Sequence, residues 1–277
     1  MRIAFVRPLS TRVHDVFVKP SPDLPTRYVF VGGLHRSGTT LVADCLEAHP
    51  DTRGLPHAAA PEGEGVFLQG AIPHDALAGV PGRWAERPEA HLTDGGPWDR
   101  LDVRDRLRSD WDDWYASGGA WRVEKSPVNL LRARLYQQLF PAAQFVFVVR
   151  HPVAVARATA KWTDRDEADL IRHWETAHRI LAADLPHLHN WIVVRFEDLC
   201  ADPETELARL FAFLRLDPVP APRRIEADAN GAYLSAGPPA ASLGPMAAAF
   251  GYDDGGVAGP SVHRGNHWFR EIREAIA

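Results

Sequence analysis

One stretch limits this chain more than any other: Tyr28 to Pro50, reading YVFVGGLHRSGTTLVADCLEAHP. The apolar run Tyr28 to Val31 ends in the pair Gly32-Gly33. A polar loop follows. Leu41, Val42, Cys45 and Leu46 then recur at helical spacing, and Pro50 closes the segment. This is the pattern of a strand, a tight loop and a helix. The loop nearly matches the phosphate-binding pattern G-x-x-x-x-G-K-S/T, with Gly33 and Gly38 in the glycine positions and Thr39 where the lysine stands. Its glycines let backbone N–H groups turn inward, and the positive end of the helix points at the same spot. The loop is suited to an anion but departs from a standard triphosphate site.

Length and composition narrow the remaining possibilities. A chain of 277 residues admits one large α/β domain or two small ones. We read a single domain over 1–277, with 1–27 as an N-terminal arm and 217–277 as a loop-rich C-terminal part. Hydrophobic residues at 45% and charged residues at 24% suit a chain with a proper core. A net charge of -5 argues against a nucleic-acid surface. The two cysteines, Cys45 and Cys200, form no disulfide framework and fit a reducing compartment, so a cytoplasmic location is expected. The first residues carry charges and only a short apolar run, unlike a signal peptide or membrane anchor. Thirteen scattered histidines form no H-E-x-x-H pair, and no metal is expected.

Further along, Asp99 to Tyr115 has helical spacing, and Trp121 to Glu124 reads as a strand. Asn129 to Phe140 reads as a helix with Leu131, Leu135 and Leu139 on one face. Gln144 to Val149 is the continuous apolar run of a buried parallel strand, with Arg150 at its end. Pro152 opens a helix, and a long amphipathic helix is expected from Glu167 to Leu185. Trp191 to Phe196 is the last clear strand, and Asp202-Pro203-Glu204 starts another helix. The terminal HRGNHWFREIREAI reads as a polar turn and a short helix. Alternating strands and helices predict a P-loop-like three-layer α/β fold, a central parallel sheet flanked by helices. In such sheets ligands sit beyond the C-terminal ends of the strands, which would gather Arg36, Lys125 and Arg150.

Three motifs in order carry a resemblance: GLHRSGTT after a strand, Glu-Lys-Ser-Pro at 124–127, and Val-Val-Arg-His-Pro at 148–152. Together they resemble the sulfotransferases that use 3′-phosphoadenosine 5′-phosphosulfate, most closely the bacterial and tyrosylprotein branch, over Tyr28 to Leu216. The resemblance implies that Arg36, Ser37, Gly38, Thr39 and Thr40 hold the 5′-phosphosulfate and that Arg150 binds the 3′-phosphate. Ala158 stands where the family has a serine, with Thr159 next to it as a substitute. Lys125 matches a family lysine near the transferring group, and Arg36 shares that duty. Phe196 falls where relatives carry a tyrosine near the adenine. Arg264, Asn266 and His267 match a C-terminal loop that closes over the nucleotide.

Sulfuryl transfer rests on positioning and charge, as phosphoryl transfer does. The acceptor, expected to be a hydroxyl of a small or medium bacterial metabolite, needs a base. Glu62 and Glu64 are the favoured candidates, with His57 next. Two other readings remain open: a nucleotide kinase or triphosphatase with a degenerate loop, and a non-catalytic anion-binding module. The tryptophans between Trp84 and Trp114 either line an acceptor pocket or anchor the core. Asp44, Glu47 and His49 read as a solvated helix face and its end.

Overall fold

The computed structural model describes residues 27–57, 59–74 and 81–259, and the backbone alone of 264–266. Its strands in chain order are β1 (Arg27–Gly32), β2 (Thr52–Gly54), β3 (Trp121–Lys125), β4 (Gln144–Val149), β5 (Asn190–Arg195), β6 (Tyr252–Asp253), β7 (Gly256–Val257) and β8 (Arg264–Asn266). The main sheet has the order β2-β3-β1-β4-β5-β8. Its first five strands are parallel, and β8 runs antiparallel along β5. β6 and β7 form a separate hairpin.

The helices are α1 (Thr39–Glu47), α2 (Leu101–Asp112), α3 (Ala133–Leu139), α4 (Pro152–Thr159), α5 (Glu167–Asp184), α6 (Phe196–Ala201), α7 (Pro203–Leu214), α8 (Gly231–Leu234) and α9 (Pro245–Ala249). Strand residues alternate between the two faces of the sheet. Phe30, Phe145, Phe147 and Val193 point into a large core with Trp111, Tyr136, Trp174 and Leu181, from α2, α3 and α5. Val29, Val31, Val146, Val148 and Ile192 point the other way, against Val42 and Leu46 of α1 and Leu210 and Phe211 of α7. A sheet covered on both faces needs strands that are apolar throughout, which is why β4 is buried at every position.

Several expectations change. The helix expected over 129–140 is broken: a 3-10 turn, Pro127–Leu131, gives way at Arg132 to α3. β2, an edge strand on β3, is an element that the sequence pattern did not indicate. His49 is not solvated: it is 6% exposed and its ring packs on Phe211. The segment expected to be a turn over 264–266 is β8. The terminal helix expected beyond it lies outside the described residues, as does the arm over 1–26.

Register sets up the site. Val31 of β1 lies beside Lys125 of β3, and Gly32 lies beside Phe147 of β4. The chain leaves β1 for α1 on one face of the sheet, and leaves β4 for α4 and α5 on the other. A crevice therefore opens beyond β1 and β4, where opposed connections part.

Candidate active site

The loop between β1 and α1 forms the floor of the crevice. Gly38 caps α1 with φ 101°, and no side chain caps the helix. The first N–H groups of the helix therefore lack intrahelical partners and face outward. The Ser37 hydroxyl is buried and has no partner among the described residues. An uncapped helix start beside an orphaned hydroxyl fits a phosphate-like group. Gly38 is required twice over. Only glycine takes its φ without strain, and a Cβ there would lie 2.4 Å from Cδ2 of Phe196. Arg36 also sits in the left-handed region, with φ 68°, at a cost of about 1–3 kcal/mol for a non-glycine residue. This turns its carbonyl toward Arg150 and lays its exposed guanidinium over the Trp162 ring, 4.7 Å from the centroid.

Arg150 joins the parts of this half-site. Its Nη1 donates to the Arg36 carbonyl (3.0 Å), Nη2 to the Ala229 carbonyl (2.8 Å) and Nε to Asn230 Oδ1 (2.7 Å). Its guanidinium lies 4.4 Å from the Phe196 ring centroid. Burial pushes the Arg150 pKa down from its usual value, opposed by the charge of Glu197. Among the described residues, three of its five N–H groups are engaged. Lys161 and Tyr233 stand beside it: Lys161 Nζ reaches the Tyr233 hydroxyl at 3.5 Å, and Arg150 lies 5.5 Å from the Tyr233 ring centroid. Burial raises the Tyr233 phenol, but Lys161 and Arg36 outweigh it and hold the pKa below its usual value. A cavity of about 260 Å³ opens between Phe196, Asn230 and the β6–β7 hairpin.

Thr159 does not join Arg150. It is buried in a small cavity with Leu34, His35 and His173, and its hydroxyl has no partner among the described residues. Asn266 is described by its backbone alone. It pairs with Asn190, the first residue of β5, at the opposite end of the sheet. Arg264 pairs with Ile192 in mid-strand, and His267 lies outside the described residues. The described backbone of 264–266 thus extends the sheet edge.

The second half-site is built from β3 and the 61–67 segment. Glu62 (φ 55°) and Gly63 (φ 65°) make a left-handed turn. Lys125, 4% exposed, donates to the Glu62 carbonyl at 2.6 Å and to Glu64 Oε1 at 3.4 Å. Ser126 Oγ accepts from Val66 N (3.1 Å) and donates to Glu124 Oε1 (2.6 Å). Glu124 also accepts from Asn129 Nδ2 at 2.5 Å. Glu124 is thus a buried tie, its pKa raised by burial against those hydrogen bonds. The three candidate bases separate here. The Glu62 side chain is exposed. His57 is also exposed and lies 3.4 Å from Asp44 Oδ1. Glu64 is 7% exposed and faces a cavity of about 520 Å³. Burial pushes its carboxyl up to about 7 despite the Lys125 charge beside it.

Trp84 and Trp98 line that cavity, while Trp111 belongs to the core and Trp114 is exposed. His35, from the anion loop, lines it too, held neutral with a pKa near 4 by burial and by Lys125. Sequence reasoning passed over His35, Arg132, Lys161, Tyr233 and Asn230. Only His35 and Lys161 had a positional signal, lying one residue before Arg36 and two after Thr159.

Among the described residues, no group of three or more His, Cys, Asp or Glu is placed to hold a metal ion, and no helix is long and apolar enough to cross a membrane. Comparison with known proteins agrees with this architecture. The chain is 25% identical over 219 residues to protein-tyrosine sulfotransferase A of Caenorhabditis elegans, covering 74% of this chain and 53% of that protein. It is 27% identical over 199 residues to a putative protein-tyrosine sulfotransferase of Caenorhabditis briggsae, covering 68% and 65%. The chain thus spans between half and two thirds of those relatives. The sulfotransferase domain of the Synechococcus PCC 7002 olefin synthase shares the fold, with a TM-score of 0.56 at 22% identity over 84% of this chain and 98% of that domain. The model described as "Sulfotransferase family" matches residues 28–220, more than half of the sequence, and the chain belongs to that family.

Proposed function

We propose that the chain transfers a sulfonate from 3′-phosphoadenosine 5′-phosphosulfate to a hydroxyl of a small or medium metabolite. One observation carries this reading. Glu64, a buried carboxyl with a pKa near 7, faces a roomy cavity and touches Lys125, which stands beside the anion loop. A base at that pKa is half ionised near neutral pH, where proton abstraction is most efficient.

In this reading the backbone of 36–40 and the Ser37 hydroxyl hold the 5′ end. Arg150, with Lys161 and Tyr233, receives the 3′-phosphate, and the base lies against Phe196. The donor supplies an activated sulfonate whose leaving group is already a stable anion. Glu64 takes the proton of the acceptor hydroxyl. Lys125 and Arg36 meet the charge that grows on the sulfonate and the bridging oxygen. Each such donor contributes about 3 kcal/mol, by analogy with oxyanion-hole donors. The relatives named above are protein-tyrosine sulfotransferases, so a tyrosine on a peptide is the alternative acceptor.

A kinase or triphosphatase is disfavoured. Thr39 replaces the loop lysine, and the acid next to the end of β3, Glu124, is consumed by Ser126 and Asn129. Calorimetry with adenosine 3′,5′-bisphosphate tests the donor assignment. Arg36→Ala and Arg150→Ala should each weaken binding by about tenfold or more. Unchanged affinity in both, or magnesium-dependent consumption of ATP, would reject it. Mass spectrometry for a gain of one sulfonate across a metabolite extract tests the transfer itself.

A further inference from the structure

Arg150 is steered by a side chain one step removed from it. Its Nε donates to Asn230 Oδ1 at 2.7 Å, and Asn230 Nδ2 donates in turn to Glu197 Oε1 at 2.5 Å. A side-chain amide has one accepting end and one donating end. The guanidinium can only donate and the carboxylate can only accept, so one orientation of the amide serves both. Turned over, it would set its NH2 against Arg150 and its oxygen against Glu197. Asn230 is 8% exposed and Arg150 7%, so water does little to repair such a mismatch.

Glu197 is itself held from two further sides. Oε1 also accepts from His151 N at 2.9 Å, and Oε2 accepts from the Tyr252 hydroxyl at 2.8 Å. His151 follows Arg150 at the end of β4, and Tyr252 opens the β6–β7 hairpin. Burial and the Glu197 charge hold the Tyr252 phenol well above its usual range, so it keeps the proton that it donates. His151 Nδ1 accepts from Val153 N, which places the ring proton on Nε2, and Nε2 donates to the Asp253 carbonyl at 2.8 Å. Tyr252 and Asp253 thus fasten the hairpin to the end of β4, with Glu197 between them. The residue before Glu197 is Phe196, whose ring centroid lies 4.4 Å from the guanidinium. Two successive residues at the start of α6 therefore set Arg150: one supports its face, and the other aims its edge through Asn230.

We infer that Glu197 is a positioning residue for the donor's 3′-phosphate: it orients Asn230, and Asn230 turns the Arg150 guanidinium to meet that group. This rests on the reading of Arg150 as the 3′-phosphate site and goes beyond it. Glu197 cannot touch the phosphate to any benefit, because its charge has the wrong sign and both of its oxygens are engaged, so it acts through its neighbours. An arginine held at Nε by Asn230 and at its two Nη atoms by the Arg36 and Ala229 carbonyls presents its fork in one plane. Holding that plane before the ligand arrives lowers the cost of ordering a long side chain on binding. Lys161 is exposed and acts as a point charge, without such a frame. Loss of the relay should therefore cost the directional part of 3′-phosphate recognition and leave the 5′ end, held by the loop at 36–40, as it was.

The test compares adenosine 3′,5′-bisphosphate with adenosine 5′-phosphate by calorimetry on the full chain. The unmodified chain should favour the bisphosphate by about thirtyfold or more. Glu197→Ala should cut that preference by about tenfold, while affinity for the 5′-phosphate stays within about twofold. Asn230→Ala should match it, and the double variant should fall within about threefold of either single, since both break one relay. Glu197→Gln should keep the preference within about threefold: its oxygen serves His151 and Asn230, and its NH2 faces the Tyr252 hydroxyl, which can also accept. Should Glu197→Ala not fold, Glu197→Asp takes its place. It keeps the charge but falls one methylene short of Asn230, and the preference should drop by about threefold or more. Equal loss of both nucleotides marks a merely structural residue and overturns the inference. So does a preference that survives in Asn230→Ala, losses that multiply in the double variant, or a loss in Glu197→Gln as large as that in Asn230→Ala. If the unmodified chain binds both nucleotides alike, the assignment of Arg150 to the 3′-phosphate fails and the inference with it. A bisphosphate preference that Glu197→Ala or Glu197→Asp leaves intact defeats the inference alone.

Discussion

Glu64 and Glu62 are two residues apart in one loop, and their surroundings differ sharply. The left-handed turn at Glu62 and Gly63 sends one side chain outward and the other under the cavity. Glu64→Gln should lower kcat by about 10²–10⁴, with bisphosphate affinity retained. In the unmodified chain kcat/KM should climb with pH through an acid limb near 7, set by the raised carboxyl. The same shift bears on stability. Folded Glu64 keeps a proton that the unfolded chain releases above about 4.5, so its contribution falls as pH rises from about 4.5 to about 7. Glu64→Gln should therefore melt higher than the parent above pH 7, while working worse. A variant that melts higher but retains full activity would remove Glu64 as the base. The sequence made both glutamates and His57 candidates because spacing records which residues are near the loop. It does not record which one the backbone turns inward.

At the level of elements, the strand, loop and helix at 28–47 were legible because each part follows a local rule: apolar run, glycines, helical spacing. β4 was legible for the same reason. The 3-10 break at Arg132 was not, because Leu131, Leu135 and Leu139 keep helical spacing across it. β2 was also missed, since its three residues become a strand only through pairing with β3. The loop shows how tightly one element is specified. Gly38→Ala adds a methyl group that meets Phe196 in a backbone conformation that alanine resists. We expect a loss of about 2 kcal/mol in chemical denaturation. Bisphosphate affinity should fall as well, because the start of α1 would shift. An alanine variant with parental stability and affinity would show that the loop tolerates another path.

Across the whole molecule, the fold follows from the order of strands and helices, and the crevice from where their connections part. The sequence did not show how the C-terminal third completes the site. Ala229 and Asn230 reach Arg150 from a Pro- and Gly-rich region, while β8, expected near the nucleotide, lies along the far half of β5. The contact between Lys125 and Glu64 crosses from the donor half to the acceptor half. Its consequence is thermodynamic. A multiply charged donor seated beside Lys125 competes for the ammonium and raises the proton affinity of Glu64. Binding of the bisphosphate near pH 7 should therefore draw a fraction of a proton from solution. The heat of binding should then vary with the ionisation enthalpy of the buffer, and this dependence should vanish in Glu64→Gln. The enzyme would in this way record the arrival of its donor as a change in the charge of the carboxyl proposed as its base.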